Sequence, residues 1–250
     1  IGYTCPLQTV DEIVHSFGNK EFYCTFDVKS AYHTIPLRSI DQPLTSFSVG
    51  NRTFMWTRLA TGLKNAPRYY VKFLQQVFEG HLDEICIFFD DLLISDDTFE
   101  GIQRKIILIM DRLKQANVKL SPKKCQIYKK KVVYLGSLLS KEGFTMTADR
   151  IKIIQDLKFP TTRKGLQRVL GVLNFVRRFV PHYSEVIKPI TILLRGDPDI
   201  RKIEPSAESI ESFEKLKTLL TNPPLLVIPQ KDKTITVMCD GSAIAIGCCI

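Results

Sequence analysis

The sequence predicts an α+β protein built on a split β-α-β sheet with helices on one face, and three observations predict it. Short runs rich in apolar, β-branched and aromatic residues alternate with segments of helical periodicity, in the order strand, helix, strand pair, helix, strand. Two adjacent carboxylates, Asp90 and Asp91, lie between the apolar runs 85–89 and 92–95, at what reads as a hairpin tip. Beyond Gly143 the character changes to helices, ahead of a last strand.

Each element has a local cause. Thr9 and Glu12 have capping-box spacing, so a short helix is expected from Val10 to near Gly18. Residues 22–28 read as a strand with Phe22, Cys24 and Phe26 on one face and Thr25 and Asp27 on the other. Gly50 and Asn51, between the runs 45–49 and 53–57, suit a tight hairpin turn. After Gly62, the signal Asn65, Ala66, Pro67 opens a helix with Tyr70, Phe73, Leu74, Val77 and Phe78 on one side and Gly80 as its stop. In the acidic hairpin, alternation separates Cys86, Phe88 and Asp90 from Ile85, Ile87 and Phe89. A longer helix over 99–116 carries Ile102, Ile106, Ile109, Met110 and Leu113, and residues 131–139 return as a strand ending at a turn near Gly143. Thr147 caps a helix that runs through Leu157 and is stopped by Pro160; Thr161 or Thr162 caps another with Leu166, Val169, Leu170 and Leu173 as its stripe. Residues 195–205 read as a linker. A last helix with Ile210, Phe213, Leu216 and Leu220 stops at Asn222, Pro223 and Pro224, ahead of a strand over 234–240. The expected divisions are 1–143, 144–205 and 206–250.

Composition narrows the function. The chain has 250 residues and a formal net charge of +9, which points to a polyanion, nucleic acid or an anionic membrane surface alike. The first ten residues lack a basic-then-apolar leader and no stretch approaches the length of a membrane span, so no membrane partner is expected. Seven cysteines without C-x-x-C spacing and four scattered histidines give neither a zinc site nor a small-domain disulfide framework. Ile1 is not an initiator residue, and the apolar run 244–250 reads as a strand cut from its partners, so the chain is expected to be an internal piece of something longer.

The acidic pair has two readings. Neighbouring carboxylates held between hydrophobic strands repel, and a divalent cation or a basic group offsets that repulsion. Aspartates are also ordinary turn residues. In a split sheet, the end of the first strand lies beside the tip of the central hairpin, which would bring Asp27 to Asp90 and Asp91. Three convergent carboxylates in a basic chain suit two-metal phosphoryl transfer.

Four segments in order, residues 26–33 (Phe-Asp-Val-Lys-Ser-Ala-Tyr-His), 62–67 (Gly-Leu-Lys-Asn-Ala-Pro), 88–91 (Phe-Phe-Asp-Asp) and 134–136 (Tyr-Leu-Gly), resemble successive motifs of the reverse transcriptases of gypsy-type LTR retrotransposons and their retroviral relatives. The resemblance implies a palm over 1–143 with partial fingers, a helical thumb over 144–205, and the truncated start of an RNase H-like or connection domain over 206–250. It implies an RNA-directed DNA polymerase joining dNTPs to a primer 3′-hydroxyl on RNA or DNA templates. Two Mg²⁺ ions, with Mn²⁺ as substitute, would be held by Asp27, Asp90, Asp91 and the Val28 carbonyl. Tyr32, otherwise a core aromatic, would lie beneath the incoming sugar and exclude a 2′-hydroxyl. Gly62 and Lys124 would meet the nucleotide, although Lys123 and Lys124 also read as a solvated loop. Lys64, Asn65 and Pro67 would contact template, and Tyr134, Leu135 and Gly136 would grip the primer end.

In the thumb, Arg168, Arg177 and Arg178, interleaved with Phe175 and Phe179, would hold template-primer phosphates; the plainer reading is a solvated basic face over core aromatics. Asp240 would be the first RNase H-like carboxylate, and no RNase H activity is expected from this chain. The implied partners are template-primer, dNTPs and the rest of a Pol polyprotein (protease, RNase H, integrase), in cytoplasm or a virus-like particle. The chain departs from the family pattern at Phe88, where tyrosine is common, and at residues 59–61 and 68–71. A catalytically inactive remnant that binds nucleic acid, and a metal-dependent nuclease, are the rival classes.

Overall fold

A computed structural model of the chain describes residues 8–195, 202–228, 236–241 and 246–249. Helix α1 (Val10–Phe17) starts at the expected capping box, with Thr9 and Glu12 bonded reciprocally, and ends at Gly18. Strand β1 (Phe22–Asp27) follows, then a small exposed hairpin, β2 (Phe47–Val49) and β3 (Arg52–Phe54), around the Gly50 turn. Next come α2 (Ala66–Val77), with Pro67 in its first turn, the acidic hairpin β4 (Cys86–Phe88) and β5 (Asp91–Asp96), and α3 (Phe99–Gln115), capped by Thr98. Strand β6 (Gln126–Lys129) completes an antiparallel four-stranded sheet in the order β4-β5-β1-β6.

Helices α2 and α3 cover one face of this sheet, as expected, and the other face is covered as well, by α1 and a hairpin over residues 131–140. Cys24, Phe26, Leu92 and Ile94 pack against Tyr70 and Leu74 of α2 and Ile102, Ile109 and Leu113 of α3. Tyr23, Cys86 and Leu93 face the other way, onto Ile13, Val14 and Phe17 of α1 and onto Tyr134 and Leu139. The cause is legible afterwards in β5, where Leu92, Leu93 and Ile94 are all fully buried, an apolar run without alternation. Truncating one such side chain to alanine costs about 2–5 kcal/mol.

The strand expected over 131–139 is two strands. β7 (Lys131–Tyr134) and β8 (Ser137–Ser140) turn at Leu135 and Gly136, both in the left-handed region at φ 49° and 71°, as a two-residue hairpin of this hand requires. β9 (Gly143–Met146) adds a third strand, and Leu226 exchanges two backbone bonds of 2.9 Å with Phe144. The true sheet partner of β1, β6, carries no alternation because Ile127 and Tyr128 are exposed on an edge strand with a register shift.

Helices α4 (Ala148–Gln155) and α5 (Arg163–Phe175) are capped by Thr147 and Thr162, as expected. Helix α6 (Tyr183–Ile192) contains Pro189, a residue that argues against helix in sequence. Helix α7 (Ala207–Thr221), placed by the sequence reading at the head of the last segment, buries Phe213, Leu216 and Leu220 in the same core as α4, α5 and α6. In the expected linker, Ile203 donates to the Thr161 carbonyl at 3.2 Å, while residues 196–201 lie outside the described ones. β10 (Met238–Gly241) pairs with β11 (Ile246–Cys249), setting Asp240 opposite Gly247. Of the rest of the expected strand, 236 and 237 precede the ladder, and 234 and 235 lie outside the described residues.

Candidate catalytic cleft

The register of β1 against β5 builds the site. Residue by residue the pairing runs from Phe22 opposite Asp96 to Asp27 opposite Asp91, so the two carboxylate-bearing positions end the ladder on one face. Between β4 and β5 the chain turns through Phe89 and Asp90, with Phe89 held at φ 54°. That left-handed, non-glycine turn is backbone strain beside the cleft, of order 1 kcal/mol. It is fastened by the Val28 amide, which donates to the Asp90 carbonyl at 3.4 Å, while the Ser121 amide donates to the Asp27 carbonyl at 2.9 Å.

Asp27, Val28, Tyr32, Asp90 and Lys124 accordingly line one cleft of about 310 Å³, with Thr61 and Ser121. Lys124 places Nζ 3.2 Å from Asp27 Oδ2, an exposed ion pair that balances one of the gathered charges. Asp91 lies half-buried beside the cleft rather than on its wall; burial, then Asp90 and Asp27, push its carboxyl above the usual aspartate range. The Tyr32 ring packs edge-on against Tyr70 at 5.6 Å, and burial followed by Asp90 raises its hydroxyl. Held from behind in this way, the Tyr32 ring forms a fixed wall of the cleft.

The other sequence candidates divide. Gly62, at φ 90°, adjoins the cleft residue Thr61 but does not line the cleft. Lys64 and Asn65 open onto a separate groove along α2, and Pro67 is half-buried in that helix's first turn. Tyr134 is buried and reaches the acidic hairpin, its hydroxyl donating to the Asp91 carbonyl at 3.3 Å and lying 3.5 Å from Cys86 Sγ. Burial drives the Tyr134 hydroxyl far up, and it pushes the Cys86 thiol to about 11. Leu135 and Gly136 form the adjoining turn. Arg168 and Arg177 are exposed, Arg178 lies over the Phe144 ring at 5.8 Å, Phe175 is exposed and Phe179 is buried. Asp240 lies on β10, in a two-stranded sheet separate from the sheet that carries the cleft.

Sequence reasoning missed Thr61, Ser121 and His33. Ser121 belongs to a bridge between Leu120 and Val28 that no local pattern announces. His33 stacks on Trp56 at 5.5 Å with a buried Nε2 that has no hydrogen-bond partner.

Among the described residues no three His, Cys, Asp or Glu side chains close into a ready-made metal cage. The donors nevertheless fit Mg²⁺, which takes one or two carboxylates, retains waters and completes its shell with substrate phosphates. Asp27 and Asp90 supply hard oxygen donors lining one cleft, and the Asp91 carboxyl beside them is raised first by burial and then by its two acidic neighbours.

Strand-end carboxylates on an antiparallel sheet, an aromatic wall and an appended helical region define a polymerase-type palm. Residues 4–139 match the family described as reverse transcriptase (RNA-dependent DNA polymerase), and residues 206–250 match an RNase H-like domain found in reverse transcriptase. The chain belongs to the reverse transcriptase family. It is 29% identical over 245 residues, 97% of its length, to the retrovirus-related Pol polyprotein from transposon 297 of Drosophila melanogaster, and covers 23% of that protein. It is 28% identical to the Pol polyprotein from transposon gypsy of the same organism, over 97% of this chain and 24% of that one. The chain thus spans about a quarter of the length of these relatives. Among solved structures, a foamy viral protease-reverse transcriptase in complex with double-stranded DNA superposes with a TM-score of 0.87 at 25% identity, over 97% of this chain and 42% of that one.

Proposed function

We propose that this chain forms the polymerase centre of a Pol polyprotein, extending a primer 3′-hydroxyl with deoxynucleotides on RNA or DNA templates. The observation that carries this reading is the meeting of Asp27, Asp90, Tyr32 and Lys124 in one cleft. Asp27 and Asp90, with the Val28 carbonyl and Asp91 beside them, would hold the two Mg²⁺ or Mn²⁺ ions. Bound there, the ions supply neutralisation of the charge that develops on the transferred phosphoryl group.

The chain's own groups do the positioning. The Val28–Asp90 backbone bond holds the two carboxylate-bearing segments together, so neither has to reorganise when substrate arrives. Lys124, paired to Asp27 at the cleft, would offer its ammonium to a triphosphate oxygen. Tyr32, backed by Tyr70, would collide with a 2′-hydroxyl on the incoming sugar, which would favour deoxynucleotides. Lys64, Asn65 and Pro67 are assigned to template; Tyr134, Leu135 and Gly136 to the primer end; Arg168, Arg177 and Arg178 to backbone phosphates. Asp240, in the RNase H-like segment, is assigned the role of its first metal carboxylate. The relatives' names support the rest of a Pol polyprotein as partner, and a setting in cytoplasm or a virus-like particle is proposed from the family resemblance alone.

Primer extension on an oligonucleotide-primed RNA template, with Mg²⁺ or Mn²⁺, tests the reading beside an Asp90→Asn control. Extension that the control lacks supports it. Duplex binding without extension by the wild-type chain overturns it in favour of a nucleic-acid-binding remnant.

A further inference from the structure

Arg150, on α4, lies against two other elements, and among the described residues neither offers it an acid. Its guanidinium lies over the Phe175 ring of α5 at 4.6 Å. On another side it abuts the bare backbone of Gly136 in the β7–β8 turn, so closely that a Cβ there would overlap it. No carboxylate pairs with Arg150 among the described residues. Burial and the neighbouring Arg178 both work against its charge and lower its pKa. A half-buried guanidinium beside a second one is costly unless an anion completes it. The space in front is a groove of about 500 Å³ in which Arg150, Arg168 and the Phe175 ring stand among aliphatic side chains such as Ile153 and Val172, with no acid in the lining.

We propose that Arg150 is a phosphate seat for the nucleic-acid strand that passes from the carboxylate cleft across the Leu135–Gly136 turn onto α5. The placement follows from the turn itself. Tyr134, its first flank, touches the Asp91 carbonyl, and Gly136, its second residue, touches Arg150, so a backbone leaving the cleft over this turn meets the guanidinium next. Arginine suits the position because its planar fork stacks on an aromatic ring while leaving edge N–H groups for phosphate oxygens, which an ammonium cannot do. The inference rests on the polymerase reading only for the strand's direction; the phosphate contact itself needs no catalysis.

The test is equilibrium binding of a primer–template duplex by this chain from about 50 to 200 mM salt, because each phosphate contact contributes about 0.9 to the slope of log K against log salt. R150Q is expected to bind several-fold more weakly with a slope shallower by about 0.9, whereas R150K keeps the slope. Phe175→Leu, which removes the stack and leaves the charge, should weaken binding with the slope unchanged. Duplexes carrying one methylphosphonate at successive primer positions locate the contact: one position should weaken wild type and leave R150Q unaffected. A slope unaltered in R150Q, or no methylphosphonate position coupled to Arg150, overturns the proposal, and the methylphosphonate series on wild type decides it even if R150Q folds poorly. Inorganic phosphate alone that stabilises wild type but not R150Q against heat would assign the seat to a small anion and overturn the strand assignment. None of these arms needs extension, so a wild-type chain that fails to extend a primer while its binding still couples to Arg150 sinks the polymerase reading without touching this one.

Discussion

Strand β5 begins and ends on an aspartate, and its two ends are opposite environments. At the far end Asp96 is satisfied by the fold. Lys105 Nζ lies 2.9 Å from its carboxylate, the Thr98 amide donates to it at 3.0 Å, and its neighbour Gly101 leaves room for it where a Cβ would collide. Burial works to raise Asp96, yet the hydrogen bonds from Lys105 and Thr98 hold it down at about 2. At the near end burial raises the Asp91 carboxyl, Asp90 and Asp27 raise it further, and only Lys124 works in its favour. A carboxylate that stabilises a fold is supplied with donors; one kept for a ligand is left in repulsion until the ligand comes.

Substitutions at the two ends should therefore separate activity from stability. The largest effect belongs to Asp90→Asn, expected to reduce primer extension by about a thousandfold or more, roughly 4 kcal/mol of barrier, while duplex affinity and melting stay near wild type. Tyr32→Val opens the cleft wall and should lower discrimination against ribonucleotides by about 10–100-fold, read as the ratio of kcat/KM for dNTP and rNTP. Tyr134→Phe removes the hydroxyl that bridges the two hairpins; denaturant unfolding should show a loss of about 1–2 kcal/mol, since the buried Asp91 carbonyl loses a partner. Smallest is Asp96→Asn, about 1 kcal/mol of stability or less after solvent screening, with extension unchanged.

The sign for Asp96 is fixed by its shift. Its folded pKa is below the ordinary 3.8, so its contribution is present above 3.8 and is lost as pH falls toward about 2. Melting curves between those pH values should converge for wild type and Asp96→Asn. An Asp96→Asn protein that melts like wild type at pH 7 but extends poorly would break the comparison, because the far end would then serve the cleft.

Much of this was open to inspection in the linear chain. Capping residues Thr9, Thr98, Thr147 and Thr162 sit where helices start because a side-chain oxygen satisfies a local amide, a contact spanning three residues. Thr98 was not singled out, although the helix it caps was. Asp27 and the Asp90–Asp91 pair could be placed together because strand ends and hairpin tips meet in a split sheet. What escaped inspection depended on partners distant in sequence. The exposed edge strand β6 lacks alternation, α6 carries Pro189, and the Leu135–Gly136 turn interrupts an otherwise continuous apolar run. Arg150 looks like any basic residue of an amphipathic helix until Phe175 and Gly136 are brought against it.

By itself the sequence determined the local grammar of this protein: where helices begin, which strand faces are apolar, which residues carry the acid, and the family whose motifs they compose. Those properties follow from short-range hydrogen bonding and from the periodicity of side chains along one element. Only the tertiary structure decided that the sheet is buried on both faces, that Asp91 stands beside the cleft rather than on its wall, that Lys64 and Asn65 open onto a different groove, and that one arginine is held without an acid. Burial and charge pairing are properties of what packs against a residue, and packing is settled by segments that lie far away along the chain.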